Sequence, residues 1–293
     1  MNFKVGFAKT NINPPLGIDI YGYYVPRYAK GFLDELEVNA LAIKSDDETA
    51  LIIAVDNGGI GEELVDKITS GIENACGVFK DNILICASHT HTGPFVKADS
   101  MSAKTQKELV ERYAEFMCER IVDAAVMAVT DLTDAKMGYS VVKAPDRIAY
   151  IRRYKMKDGT TMTCPPINDE NIDHPIGELD QRINVVRFDR VGARSIALVN
   201  YGIHSDTIGG ELVSADFEAW MRKTLDSALD IDSLFVCGAQ GDVGSTHVFP
   251  TKSDMNDTEI SFDNEMKSPG MARFVGRAIA GAVLHIYIYH CGE

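Results

Sequence analysis

Four apolar runs that each end in a polar or glycine-rich segment constrain the fold of this chain most strongly. The runs are rich in Val, Ile and Leu and apolar on both faces, as is typical of strands covered on both sides. With their polar exits they occupy residues 50–59, 82–93, 195–206 and 233–244. Apolar residues at helical spacing predict helices between and after them, at residues 62–77, 104–131, 217–230 and about 270–288. Strands that alternate with helices predict an α/β fold, a mixed sheet with helices on both faces.

The domain organisation follows from residues 132–194, where the residue pattern differs from that of the rest of the chain. Three strand-like segments and turn-forming residues replace the helical patterns there, and no flexible linker flanks them. We interpret 132–194 as a β-rich insertion or sheet extension within one domain that spans residues 1–293. No internal repeat is visible in the sequence.

Composition excludes several classes of partner. The chain has 43 acidic and 29 basic residues, a net charge of −14, which disfavours nucleic acids and anionic membranes. The six cysteines show no C-x-x-C pairing and indicate a reducing compartment. The N-terminus has no secretory signal, and the late apolar run 278–289 is too short to span a bilayer. We therefore predict a cytoplasmic protein without stable membrane insertion that acts on a small molecule. The helix predicted at 104–131 is long enough to pack in a dimer, but it could equally cover the sheet, so a homo-oligomer is an open alternative.

Candidate metal ligands stand at the carboxyl ends of the four apolar runs, where open α/β sheets form their sites. These residues are Asp56, His89 with His91, His204 with Asp206, and Asp242. Residues i and i+2 of an extended chain point to one side, and neutral imidazole with carboxylate is a donor set that suits zinc. The pattern predicts a metal site at this edge of the sheet, and zinc suits its nitrogen and oxygen donors.

Structural interpretations of the same residues stay open. The two histidines after the second run are also explained as a polar turn, and His204 as a core histidine with a satisfied hydrogen bond. Asp56 is equally well explained as a cap, and Asp242 as a turn former between glycines. Asp216 is placed to cap the helix at 217–230. The other histidines are expected to be structural or at the surface: His174, His247, His285 and His290.

Several ordered motifs resemble the catalytic region of the neutral/alkaline, non-lysosomal ceramidase family. The stretch GFAKTNINPPLGIDIYGYY resembles the N-terminal signature of that family, and ASHTHTGP resembles its T-H-T-H-S-G-P. IRRYKMKDG resembles an N-R-R strand, VNYGIHSD and VSADF a second histidine motif with its following segment, and GAQGDVGS a G-D-V-S segment. FDNE at 262–265 matches a stretch that precedes a helix. The chain thus resembles a single ceramidase-like catalytic domain.

This resemblance implies site residues and an activity. His89 and His204 would be zinc ligands, and His91 and Arg152 would stabilise an oxyanion during amide hydrolysis. The family uses a serine nucleophile, but Gly244 stands at that position here and Ser245 follows it. Ile151 replaces the asparagine of the N-R-R strand. The family's remaining ligands, a Glu and a Tyr, lie in a segment beyond the end of this chain, so the resemblance implies a short variant.

The mechanism that needs no serine is direct attack on an amide or ester carbonyl by a zinc-bound water. His89 and His204 would hold the zinc ion together with a carboxylate, Asp56 or Asp242. In this mechanism, His91 and Arg152 would stabilise charge on the carbonyl oxygen, with Asp242 and Ser245 as further catalytic candidates. Two alternatives remain. One is a catalytically inactive relative that binds a small molecule, which Gly244 favours. The other is a metallophosphoesterase, although the order of motifs differs and no Asn-His-Asp/Glu string occurs.

Overall fold

The computed structural model describes residues 3–97, 106–249 and 267–289, with side chains to residue 287 in the last range. The predicted FDNE match and His290 lie outside these residues. Two halves of the described chain follow one another, which we call the first half (3–130) and the second half (133–289).

The first half contains four strands of the main sheet and two helices. In chain order they are β1 (Phe3–Asn11), β3 (Glu37–Ser45), β4 (Glu48–Val55), α1 (Glu62–Cys76), β5 (Ile83–Ala87) and α2 (Lys107–Thr130). The short strand β2 (Gly31–Phe32) lies in the connection between β1 and β3, and a 3-10 turn (Lys80–Asn82) precedes β5. Gly77 ends α1 in the left-handed region at φ 74°, as its place in the sequence predicts.

The second half repeats this order of elements. It contains β6 (Thr133–Lys143), β11 (Arg182–Arg190), β12 (Ile196–Tyr201), α3 (Phe217–Leu229), β14 (Asp232–Cys237) and α4 (Pro269–Tyr289). Shorter strands lie in its connections: β7 (Tyr150–Ile151), β8 (Arg153–Met156), β9 (Thr161–Thr163), β10 (Ile172–Pro175), β13 (Leu212–Val213) and β15 (Val243–Gly244). The carboxylate of Asp216 accepts a hydrogen bond from the backbone N–H of Phe217 at 2.8 Å, so the predicted cap of α3 is confirmed.

The main sheet has the strand order β14-β12-β11-β6-β1-β3-β4-β5 and is mixed, as predicted. Its parallel pairs are β4 with β5 and β12 with β14. The halves join through β1 and β6, which pair over only two residues, Lys4 with Asp134 and Val5 with Thr133. By contrast, β6 and β11 pair over the full length of β11.

Three apolar clusters explain how the elements form layers. Residues of both halves meet in one cluster between the two parts of the sheet, including Leu41 and Ala54 from the first half and Phe188 and Leu234 from the second. A second cluster joins α1 and α2 to the first-half strands, and a third joins α3 and α4 to the second-half strands. The helices therefore cover outer faces, and the two half-sheets pack on each other at the centre.

The region 132–194 is partly an extension of the main sheet. Its two ends form β6 and β11, neighbours near the middle of the sheet. Only the connection between them, residues 144–181, leaves the sheet, and it carries a small sheet of order β10-β8-β9. Among the described helices, none is both long and apolar enough to cross a membrane.

Candidate metal centre

Three imidazoles from the two halves converge at one end of the main sheet. We call His89, His91 and His204 the histidine centre. His89 and His91 lie just after β5, and His204 lies just after β12. Each ring offers one nitrogen, and these three nitrogens lie within 4.8 Å of one another. Among the described residues, this is the group of His, Cys, Asp and Glu side chains that is placed to hold a metal ion.

The backbone around β5 brings the two neighbouring histidines to this point. Ser88 donates to the carbonyl oxygen of Val55 and His89 to that of Asn57, both at 2.9 Å, so the chain keeps running beside the end of β4. His89 then adopts φ 66°, the left-handed region that few non-glycine residues occupy outside turns and functional sites. The backbone N–H of His91 donates to the carbonyl oxygen of Ser205 at 3.1 Å, which ties the first-half loop to the residue after His204.

Hydrogen bonds on the far side of two rings leave the inner nitrogens free to bind a cation. His89 Nδ1 donates to the carbonyl oxygen of Gly58 at 2.6 Å, and His204 Nδ1 donates to that of Gln240 at 3.3 Å. A carbonyl oxygen only accepts, so both rings present an unprotonated Nε2. Metal-bound histidines show this arrangement, in which the second ring nitrogen is fixed by a backbone or carboxylate acceptor.

The distance between the inner nitrogens of His91 and His204 also suits one ion. His91 Nε2 and His204 Nε2 are 3.1 Å apart, close to the ~3.3 Å expected for two nitrogens bound tetrahedrally to one zinc ion at about 2.05 Å. Without metal, a proton on His91 Nε2 can bridge the two rings. With that proton on Nδ1 instead, it faces the Asp206 carboxylate oxygen at 3.5 Å and both Nε2 lone pairs point at the ion. The donor set therefore fits zinc.

Burial keeps two of these rings neutral. It lowers the pKa of His91 to about 4, since the nearby Asp206 carboxylate only partly offsets the loss of solvent. Burial lowers the pKa of His204 to about 4 as well, and the neighbouring Arg152 cation acts in the same direction. Both lone pairs are consequently available near neutral pH, as metal binding requires.

Tightly packed residues fix the rings in place. Tyr21 contacts both His89 and His91 edge to face, with ring centroids 5.8 and 6.2 Å apart. Gly22 lies so close to His91 that a Cβ atom at position 22 would stand 2.7 Å from the Cβ and Cγ atoms of that ring. The buried Arg27 donates to the carbonyl oxygens of Tyr21 and His91, each at 2.6 Å.

Asp56 does not belong to the histidine centre, which corrects its predicted role as a ligand. Its two carboxylate oxygens are bound by Arg222 at 3.1 and 2.6 Å, and one also accepts from the backbone N–H of Glu37. Asp56 is only 2% exposed and Arg222 is 8% exposed, so the two form a buried ion pair. The carboxylate is thus committed to holding α3 against the end of β4.

The remaining predicted residues are distributed around the centre. Arg152 lines a cavity of about 700 Å³ together with all three histidines, and its Nε and Nη2 groups donate to the carbonyl oxygen of Gly241. Ser245 is buried and lines a second, smaller cavity that also contacts Arg152 and His204. Asp242 is exposed and lines neither cavity; its backbone carbonyl accepts from the N–H of Arg152.

A cluster beside His91 adds Lys267 and Tyr23, which were not predicted, to Asp206 of the predicted strand end. Lys267 forms an ion pair with Asp206 and donates to the Tyr23 hydroxyl at 2.9 Å, and that hydroxyl is 3.2 Å from the other Asp206 oxygen. Asp206 follows His204 by two residues, the same spacing that singled out His89 and His91, so a signal for it existed. Lys267 carries no comparable signal, because nothing in its local sequence indicates which strand end it approaches.

Comparison with known proteins bears on the fold. No protein-family model matches the chain, and no curated protein matches it in sequence. Among solved structures, neutral ceramidase from Pseudomonas aeruginosa matches with a TM-score of 0.74 and 16% identity, over 97% of this chain and 44% of that chain. A ceramidase complexed with C2 matches with a TM-score of 0.72 and 17% identity, over 97% and 44% respectively.

The chain therefore spans less than half the length of the solved structures it matches. At this level of identity the similarity establishes the fold and leaves the chemistry to be argued from the residues. It confirms the resemblance that the ordered motifs predict: the chain has a ceramidase-like fold.

Proposed function

We propose that the protein is a zinc-dependent hydrolase that cleaves an amide or ester bond by attack of a zinc-bound water. The observation that carries this proposal is the convergence of His89, His91 and His204, with the outer nitrogens of two rings donating to backbone carbonyls. Three protein ligands with one open position are the pattern of catalytic zinc sites. The fold shared with ceramidases supports the same class of reaction.

The ligand set of the proposal differs from the set predicted from the sequence. His91 takes the place that Asp56 was expected to fill, because its Nε2 is 3.1 Å from that of His204. When bound, zinc would lower the pKa of a water molecule far below its value in bulk water, to about 7, and would supply hydroxide near neutral pH. The chain then has to bind the substrate, orient its carbonyl group and stabilise the charge that develops on oxygen.

Arg152 is the residue best placed for charge stabilisation. Its guanidinium lines the cavity beside His204, and its two hydrogen bonds to the Gly241 carbonyl, at 3.0 and 2.7 Å, fix its plane. A donor fixed before the reaction contributes on the order of 3 kcal/mol to the stabilisation of an oxyanion. We assign Arg152 this role, since His91 belongs to the ligand set.

A serine nucleophile is not needed in this scheme. A Cβ atom at Gly244 would lie 3.8 Å from the Cβ and Cδ atoms of Arg152, an ordinary contact, so a serine would fit there but the chain does not have one. Ser245 lines the smaller cavity, where its hydroxyl is better suited to contact substrate than to attack it. We therefore expect Ser245→Ala to lower activity less than Arg152→Ala.

Metal analysis and hydrolysis assays test the proposal together. The purified protein is expected to bind one equivalent of Zn²⁺ and to hydrolyse members of a panel of esters, amides and lactones. His89→Ala and His204→Ala are expected to lose the metal and the activity, while His174→Ala, at an exposed side chain, retains both. Unchanged metal content in both centre variants would contradict the proposal.

A small-molecule-binding protein without catalytic activity is the second candidate. Gly244 at the position of the family's nucleophile favours it, and the cavity of about 700 Å³ is of the size that binds drug-sized ligands. Zinc-loaded protein that binds panel compounds but hydrolyses none of them would support this candidate over the hydrolase.

A further inference from the structure

Two cavities of different size and lining meet at the histidine centre. The larger cavity has a volume of about 700 Å³ and the smaller cavity one of about 170 Å³. Both are lined by Arg152, Cys164 and His204. A bond cleaved at the histidine centre would therefore have one side of the substrate in each cavity.

The larger cavity is aromatic and lacks negative charge. Its walls include four aromatic side chains, Tyr21, Tyr23, Tyr24 and Phe95. No Asp or Glu among the described residues lines it, although the protein as a whole has a net charge of −14. Arg152 contributes a cation to the same walls. This lining suits an aromatic or bulky apolar group that is neutral or anionic, and it disfavours a cationic one.

The smaller cavity has an apolar side and a polar side. Pro165, Ile167 and Val248 supply its apolar surface, and its polar side carries the Asp206–Lys267 ion pair. That carboxylate and ammonium neutralise each other, so the Arg152 guanidinium is the charged group among the described lining residues that remains available to a ligand. At about 170 Å³ it lies well below the ~300–1,000 Å³ range of cavities that hold drug-sized ligands.

From this asymmetry, and on the basis of the proposed function, we infer the substrate class. The substrate is an amide or ester with a bulky aromatic or apolar group on one side of the scissile bond and a short group on the other, and neither group carries a positive charge. A compound with a long chain on both sides does not fit, because the smaller cavity has a volume of only about 170 Å³. We assign the limit on the length of the short group to Ile167, which lines this cavity.

Two ester series measure this limit. In one, zinc-loaded protein is given p-nitrophenyl esters with acyl chains from acetyl to dodecanoyl. In the other, it is given benzoyl esters of linear alcohols over the same range of lengths. We expect kcat/KM to fall at least about tenfold at a definite chain length in the series whose chain enters the smaller cavity, a change that corresponds to ~1.4 kcal/mol.

Substitutions of Ile167 should move that length in opposite directions. Ile167→Ala removes three carbon atoms from the cavity wall and is expected to shift the fall to longer chains, whereas Ile167→Phe shifts it to shorter ones. Val191→Ala is the matched control, since Val191 is exposed in the turn between β11 and β12 and lines neither cavity. Calorimetry of acetanilide, butyranilide and octananilide binding to metal-free protein gives a readout without turnover.

The outcomes separate this inference from the proposed function. If no ester, amide or lactone is hydrolysed with Zn²⁺ present, the proposed function fails, whatever the anilides do. If hydrolysis occurs but kcat/KM is flat across both series, or if Ile167→Ala and Ile167→Phe leave the limiting length unchanged, the hydrolase stands and the inferred substrate class is overturned.

Discussion

The two halves of the molecule share one order of elements but use equivalent positions differently. Each half runs through three antiparallel strands, a helix, a fourth strand parallel to the third, and a final helix. The third strands are β4 and β12, so the residues after Val55 and after Tyr201 correspond to each other. The first of these positions holds Asp56 and the second leads to His204.

This comparison shows that the side chains around a polar residue at the end of a strand decide the role of that residue. Asp56 meets Arg222 of α3 and becomes half of a buried ion pair between the two halves. His204 meets His91 and Arg152 and faces a cavity. The position that lies against a packed helix serves stability, and the position that faces the cavity is available for binding.

The largest expected effect tests this division at Arg222. Arg222→Met leaves the Asp56 carboxylate buried without its partner, which typically costs 3–5 kcal/mol of unfolding free energy. We expect a loss of about that size in denaturant titrations, with metal binding retained in the protein that remains folded. His204→Asn lies after the corresponding strand of the second half. It should change the unfolding free energy less than Arg222→Met does, and it should abolish zinc binding.

A double variant provides the control for this comparison. Asp56→Asn combined with Arg222→Met removes the buried carboxylate charge that Arg222→Met leaves without a partner, and it should recover part of the lost stability. If Arg222→Met and His204→Asn had equal effects on both stability and metal content, the two strand ends would not be divided in function.

A second, intermediate effect concerns pH. The pKa of His91 and of His204 is lowered to about 4 in the folded protein, against about 6.5 in an unfolded chain. Between these values the unfolded chain binds more protons than the folded one, so the unfolding free energy of metal-free protein falls as the pH is lowered from 6.5 towards 4. Allowing for partial solvent access, we expect a loss on the order of 2 kcal/mol.

Substitutions of single histidines identify the groups that cause this dependence of the unfolding free energy on pH. His204→Asn should make the dependence on pH shallower, whereas His174→Asn, at an exposed position on β10, should leave it unchanged. Equal slopes in all three proteins would show that other groups control acid stability. Zinc affinity should decrease over the same range, because protons compete for the same nitrogens.

The sequence was sufficient to predict elements whose signals are local. Helical periodicity located α1, α2, α3 and α4, and Asp216 marked the start of α3. Strand ends rich in histidine indicated the histidine centre. The repeat of topology was invisible because the two halves share an order of strands without sharing a residue pattern, and because β6 and β11 are separated by a connection with its own small sheet.

The role of Asp56 could not be predicted from its neighbours in the sequence, because its partner is distant along the chain. Arg222 is 166 residues away along the chain, and no periodicity links the two. The same limit applies to Lys267, which reaches Asp206 from the residues before α4. A strand-end motif predicts that a side chain is near the site edge; it does not predict which partner meets it there.

The smallest expected effect compares the long connections of the two halves, residues 12–36 and 144–181, which both contribute walls to the larger cavity. Gly22 in the first connection has φ 108°, and Gly177 in the second has φ 107°. Alanine has similar backbone strain at both, about 1 kcal/mol of unfolding free energy, and at position 22 the contact with His91 adds to that cost. The pair therefore separates backbone strain from contact with the histidine centre.

Only Gly22→Ala is expected to affect metal binding as well. A Cβ at position 22 would stand 2.7 Å from atoms of His91, whereas at Gly177 its nearest neighbour would be an Asp242 carboxylate oxygen at 3.8 Å. Displacing a ligand ring typically lowers zinc affinity 10–100-fold, so competition with a chelator should show a loss of about tenfold or more for Gly22→Ala and almost none for Gly177→Ala. Equal zinc affinities in the two variants would mean that His91 tolerates displacement, and the centre would then depend on His89 and His204 alone.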